Sequence, residues 1–336
     1  MANEVTKLAD VIVPSILAGY VNEQSVVKNK LITSGLVTQN PAISNFLATG
    51  GYVASFPSFK HIDTSSVAAL VPSDDEAVIA EAEKLTSSKQ VVVRMQRNKP
   101  WSAASLTSQI SGADPIATVA AEFGEYQNKV RQASLLSVLA GTINETRAAN
   151  LVNTIALETT VGLADANKFS AGALIDTIGN GWGDNAGNGG ALVIHSKTWV
   201  AMLKANLVVS QPTNAQDIGF GTYLGFTLLV DDTAPVRAGT TSGTVYTSYI
   251  IQPGAISLGS TVTPDAVELY RNPLAGNSGG VDSLIVRDTF AYHVNGFAWV
   301  GSTTALPTDA ALATASNWSK VFTDKQIGVA ALVHNL

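Results

Sequence analysis

A chain of 336 residues is long enough for two domains and a sizeable core, yet only 14% of it is charged, against roughly 25% in an ordinary soluble protein. Zero cysteines exclude disulfides, thiol catalysis and cysteine-based zinc sites, and a net charge of −6 argues against wrapping nucleic acid by neutralising phosphates. No apolar run approaches the ~18 residues of a membrane span, and residues 1–10 lack a secretory signal pattern.

Shortage of charge has two readings. Either much of the surface faces other protein, or the chain is a monomer solvated by Ser, Thr and Asn.

Residues 1–48 read as an arm with little core of its own. Val11, Ile12, Val13, Ile16 and Leu17 form one apolar patch around Pro14. Val26, Val27, Leu31 and Ile32 form another, ending at Gly35, and Asn40-Pro41 marks a turn. The alternative is a helical hairpin packed on its own domain. Gly50-Gly51 opens a strand over 52–56 that Pro57 closes, and 58–73 is loop-like. An acidic run follows (Asp74, Asp75, Glu76, Glu81, Glu83), then a basic one (Lys84, Lys89, Arg94, Arg97, Lys99). Val91, Val93 and Met95 alternate with Val92, Arg94 and Gln96, the two-residue period of a strand with one polar side. Residues 50–100 therefore read as an extended hairpin of mixed sign. Its charge blocks can satisfy each other within one chain, or pair with a neighbouring copy to generate rings.

The clearest element is a long helix over 115–140. Asp114 suits its N-cap and Pro115 its first position, while Ile116, Val119, Ala120, Phe123, Tyr126, Val130, Ala133, Leu136 and Leu139 recur at helical spacing. Gly141 reads as its left-handed exit. At 1.5 Å per residue it spans about 39 Å. A second helix is expected over 145–157, and a third from Ser170 to Ile178, ended by Gly179. A glycine-rich turn over 181–190, a strand at 191–194 and a helix at 196–204 follow. Strands are expected at 226–230 and 246–251. A hairpin of 267–271 with 283–293 turns through 276–280, and a closing strand carries Ile327, Val329, Ala331 and Val333. Mixed order without a regular βαβ beat makes the class α+β.

Candidate chemistry is thin. Gly276-Asn277-Ser278-Gly279-Gly280 looks like a serine-protease nucleophile loop, which would need His61 or His195 with Asp231 or Asp232; neither histidine has the flanking residues of that family's base. A tight turn explains the same residues. Residues 179–183 follow a helix rather than a strand, so they make a poor phosphate cradle. Asp184 and Asn185 lack the spacing of a calcium loop, and His61, His195, His293 and His334 lack metal-ligand spacing. No catalytic, cofactor-binding or metal residue is assigned.

The ordered signals are Val11-Ile12-Val13-Pro14, Ser34-Gly35-Leu36-Val37, Gly50-Gly51, Phe56-Pro57, Ser111-Gly112-Ala113-Asp114-Pro115 and Leu139-Ala140-Gly141. Farther on come His195-Ser196 with Leu203, Asn206 and Leu207, then Val230-Asp231-Asp232, Arg271-Asn272-Pro273, and His293 with Gly296-Phe297 and Trp299. In this order the chain resembles, over nearly its whole length, the major capsid proteins of tailed double-stranded DNA phages with the Hong Kong 97-type fold. The resemblance implies an N-terminal arm (1–48), an extended loop (49–101) lying across a neighbour, a peripheral domain (102–160 and 262–336) with a spine helix, and an axial domain (161–261). It implies hexamers and pentamers closing an icosahedral shell around DNA without sequence-specific binding. No enzymatic step, cofactor or membrane is implied. Separate scaffold, portal and decoration proteins are expected partners, with assembly in the cytoplasm of the infected bacterium and residence in the virion. The family's crosslinking lysine–asparagine pair cannot be placed here, and no long charged helix precedes the arm as in members with a fused scaffold. An encapsulin-like compartment shares the fold and is the nearer alternative; a serine hydrolase using Ser278 is the farther one. The two charge runs, from Asp74 to Lys99, are the expected inter-subunit contacts.

Overall fold

The computed structural model describes residues 36–60, 74–75, 77, 79, 84–185, 190–208, 222–263 and 265–336. The first two apolar patches of the arm, His61, Glu76, Glu81 and Glu83 lie outside these residues.

In chain order the first half gives β1 (Val37–Gln39), α1 (Pro41–Thr49), β2 (Val53–Phe59), β3 (Ser87–Val93), β4 (Met95–Ala104), α2 (Ser105–Ser111), α3 (Pro115–Thr142) and β5 (Val152–Thr154). Next come α4 (Ala171–Trp182), β6 (Gly190–Ile194), α5 (Ser196–Lys204), β7 (Thr222–Tyr223), β8 (Phe226–Val230), β9 (Val236–Ala238) and β10 (Thr244–Ile251). The last stretch holds β11 (Ile256–Thr261), β12 (Val267–Asn272), β13 (Val281–Val294), β14 (Phe297–Trp299), α6 (Asp309–Ala313), β15 (Trp318–Lys320) and β16 (Val329–His334).

Among the described residues two larger sheets carry the core. A five-stranded sheet runs β1-β11-β13-β12, with β4 also on β13, and a seven-stranded sheet runs β5-β16-β10-β6-β8-β7, with β9 on β10. Helix α3 packs on β13 and β4 of the first sheet and is tied through Gln132 to the end of β8 in the second. It starts where Asp114 accepts from the N–H groups of Ile116 and Ala117 at 3.0 and 3.2 Å. Its buried residues are Gln132, Ser134, Leu135, Val138, Leu139, Gly141 and Thr142, all beyond residue 131.

Several sequence expectations need correction. Gly141 is not an exit but a buried helical residue, and Ile143 is the C-cap. A Cβ there would run into the Leu312 carbonyl and the Trp318 indole, so the glycine permits close approach. No α-helix spans 145–157: the chain makes a tight turn, a short 3-10 turn over Ala149–Leu151 and then β5, because β-branched Val152 and Thr154 find parallel partners in Ala331 and Val333 of β16. Helix α4 passes through Gly179 and Gly181, so neither belongs to a loop; Leu151 lies where a Cβ on Gly181 would go, and the helix ends at Gly183, φ +53°. Asn40-Pro41 begins α1, the Asn40 carbonyl oxygen Oδ1 accepting from Ala42 N–H at 3.0 Å.

Pro57 sits inside β2 rather than after it, opposite Lys89 in the β2–β3 pair. Proline is tolerated there because β2 is an edge. Nor does the 91–96 stretch have a polar side near its root. Val91, Val93 and Met95 enter the main core, while Val92 packs with Ile43, Leu47 and Ala291. Residues 36–49 are thus stitched to the chain's own sheet, through β1 on β11 and the buried face of α1.

Candidate functional site

Among the described residues the sequence candidates do not come together as a reaction centre, and His61 lies outside those residues. Among the described residues no three His, Asp or Glu side chains group to hold a metal. His195 and Asp232 cap α5: the His195 Nδ1 accepts from Lys197 N–H at 3.1 Å and the Asp232 carboxylate from Ser196 N–H at 3.3 Å. Ser278 lies in the β12–β13 turn of the other sheet, where Asn277 and Ser278 both hold positive φ. What remains is a frame with uncovered edges.

That frame is fastened by polar ties the sequence did not reveal. From consecutive positions of α3, Arg131 and Gln132 reach opposite sheets. Arg131 donates twice to Asp288 of β13, both bonds 2.7 Å, and this carboxylate with its hydrogen bonds raises the guanidinium pKa further. Gln132 donates its amide to Asp231 at 2.8 Å and also meets Thr233, both just past β8. Arg97 holds Asp309 at 2.6 Å, and Ser134 donates to the same oxygen at 2.7 Å, which pins β4, α3 and α6 together.

The β2–β3 hairpin stands apart as its own two-stranded sheet. Its root is clasped by Gln90, whose Oε1 accepts from Gly296 N–H and faces His293 Nε2, both at 2.8 Å. The Gly296 donor makes that atom an acceptor, so His293 carries its proton on Nε2. The other ring nitrogen, Nδ1, is buried with no hydrogen-bond partner in the described structure. Burial pushes the His293 pKa down to about 4.

The expected contact residues divide. Lys84, Lys89 and Lys99 are exposed, and none of them, nor half-buried Arg94, forms an ion pair among the described residues. Arg97 is committed within the chain to Asp309. Asp74 and Asp75 are exposed, and Asp75 accepts from Ala77 N–H at 2.9 Å.

Uncovered apolar residues cluster near them. Phe59 is 75% exposed and Leu85 57%. A cleft of about 200 Å³ opens between β4 and the first half of α3, lined by Trp101, Val119, Glu122, Phe123, Tyr126 and others. Trp101 meets Tyr126 edge-to-face, centroids 5.0 Å apart. Of these, Val119, Phe123 and Tyr126 carried a sequence signal, their place in the helical repeat.

A family model described as Gp13-like, "Major capsid protein 13-like", matches residues 57–329. The chain belongs to the Gp13-like major capsid protein family. The major capsid protein of Bacillus phage SPP1 is 27% identical over 336 residues, covering 98% of each chain. Among solved structures, the Cyanophage Pam1 capsid asymmetric unit matches with a TM-score of 0.58 at 10% identity, covering 100% of this chain and 99% of that one. The capsid of Ralstonia phage GP4 matches with a TM-score of 0.58 at 12% identity, covering 99% and 98%. The α+β architecture is therefore that of Hong Kong 97-type capsids, and this Gp13-like protein is a structural component of a phage head. Neither the compartment nor the hydrolase alternative is favoured.

Proposed function

We propose that this chain forms hexamers and pentamers that close an icosahedral head around double-stranded DNA, with no sequence-specific contact to it. In this reading residues 1–48 are an arm, 49–101 an extended loop laid on a neighbour, 102–160 with 262–336 a peripheral domain, and 161–261 an axial domain. Lys84, Lys89, Arg94 and Lys99 of the basic run, with Asp74, Asp75, Glu76, Glu81 and Glu83 of the acidic run, meet adjacent copies; Arg97 acts from within by holding β4. Separate scaffold, portal and decoration proteins take part, and assembly occurs in the bacterial cytoplasm before the protein resides in the virion.

The supporting observation is the hairpin. Two strands alone are marginal in water. Beyond its clasped root this one offers exposed Phe59 and Leu85 beside unpaired lysines, a surface suited to burial on another protein. Replacing residues 58–88 by a short glycine linker spares the clasp at Gln90 and the buried valines. The expected product is a folded protein that forms no closed shells, read by electron microscopy and native mass. Shells of normal size from that variant would refute the role given to the hairpin.

A further inference from the structure

We propose that the cleft between β4 and the first half of α3 is a socket for the hairpin of a second copy, seating Phe59 among Trp101, Phe123 and Tyr126 and bringing Lys89 to Glu122. This rests on the capsid reading above and names the side chains through which hairpin and neighbour meet.

The two surfaces match in chemistry. In the β2–β3 register Phe59 lies opposite Ser87 and Pro57 opposite Lys89, so Phe59 and Lys89 project from one face on a diagonal. Such diagonal neighbours stand about 7–8 Å apart. The cleft offers an aromatic wall, with Val119 at its side and room for one ring. Glu122 precedes Tyr126 by four residues and so shares its side of the helix. It is exposed and forms no ion pair among the described residues, whereas Glu125 is met by Lys129 at 3.9 Å. A buried aromatic anchor ringed by polar contacts is the arrangement that concentrates binding energy at interfaces.

The chain's own hairpin does not reach this cleft. Gln90 is clasped at His293, near the end of β13, whereas Trp101 pairs with Leu284. Nine residues of strand separate those points, about 30 Å at 3.3 Å per residue. Phe59, opposite Ser87, lies three residues from the clasp, about 10 Å on the same scale. A Phe59 seated in this cleft must therefore come from another copy.

Because the chain contains no cysteine, singly substituted Phe59→Cys and Val119→Cys proteins can be mixed, assembled and treated with a short bis-maleimide. A crosslinked product of two chain masses is expected in particles from the mixture, above the level of either variant alone. Particles that form normally yet lack this product overturn the socket and leave the capsid reading intact. An unsubstituted chain that never assembles, even at high concentration with any scaffold supplied, overturns the capsid reading itself. If either cysteine variant fails to assemble, a charge swap between two exposed residues decides. Lys89→Glu should cut particle yield about fivefold by setting like charges together, and adding Glu122→Lys should restore it. Loss without restoration, or no loss, overturns the Lys89–Glu122 pairing.

Discussion

The two halves of α3 share one unbroken backbone and have opposite surroundings. Beyond residue 131, Leu135, Val138 and Leu139 are fully buried, and Gly141 lets Leu312 and Trp318 press against the helix. Before residue 132 no side chain is fully buried, and Phe123 and Tyr126 line an open cleft. One half holds this subunit together; the other is left for something outside it. Apolar periodicity marks both halves alike, so it reports where burial is wanted and not which molecule supplies it.

The sharpest way to break this contrast is to truncate one side chain in each half. Leu139→Ala should cost about 2–5 kcal/mol, the range for emptying a buried leucine site. Phe123→Ala should leave the unassembled subunit within about 1 kcal/mol of the parent while lowering particle yield. Urea unfolding of unassembled protein measures both, and equal losses would erase the distinction.

Acid probes the buried side in another way. His293 and His334 are held neutral by burial, each with a pKa lowered to about 4 from the ordinary 6.5. His334 retains bonds to Ser248 and to the Asn335 carbonyl, and His293 one to Gln90. The unfolded chain takes up these protons near pH 6.5 while the folded chain resists until about 4. Stability should therefore fall as pH drops through that window, by up to about 3 kcal/mol per histidine, and change little from this cause above pH 7. An unfolding midpoint that stays constant between pH 7 and 4 would contradict the assignment.

The smallest effect belongs to the exposed surface. Glu158 is bound by both Arg237 nitrogens, at 2.6 and 2.9 Å, and by Thr240 N–H, which draw its pKa down to about 2. With the folded pKa depressed, its contribution is whole above pH 4.5 and disappears as pH falls toward 2. Glu158→Gln should shift neutral-pH stability only slightly, as exposed pairs do, while weakening the salt dependence of unfolding. A loss comparable to that of Leu139→Ala would put this turn in the core's class.

Local chemistry was readable at several places where the deciding partner lies within a few residues, though the Asn40-Pro41 helix start was read as a turn. Asp114-Pro115 starts α3, α5 spans the expected 196–204, β8 spans 226–230, and 276–280 turns the β12–β13 hairpin. Most of the failures have a different cause. Gly141 resembles a stop and Gly181 part of a turn, but they are spacers for Trp318 and Leu151, and residues 152–154 join a strand almost at the other end of the chain. The charge runs were visible, but the commitment of Arg97 to Asp309 was not, and the cleft at Trp101 needed two distant segments to meet.

Composition, caps and turn residues were enough to read an α+β chain with a long helix and a hairpin, because each of those features is set by neighbours along the chain or by the balance of apolar and charged residues; the capsid reading came from resemblance to a family. Which glycines bend the chain and which admit a neighbour, which sheet Arg131 and Gln132 each grip, and which half of the spine stays bare were decided only in the folded molecule. Those choices depend on contacts between residues far apart in the chain, 157 positions for Arg131 with Asp288 and 99 for Gln132 with Asp231, and such distances leave no local pattern to read.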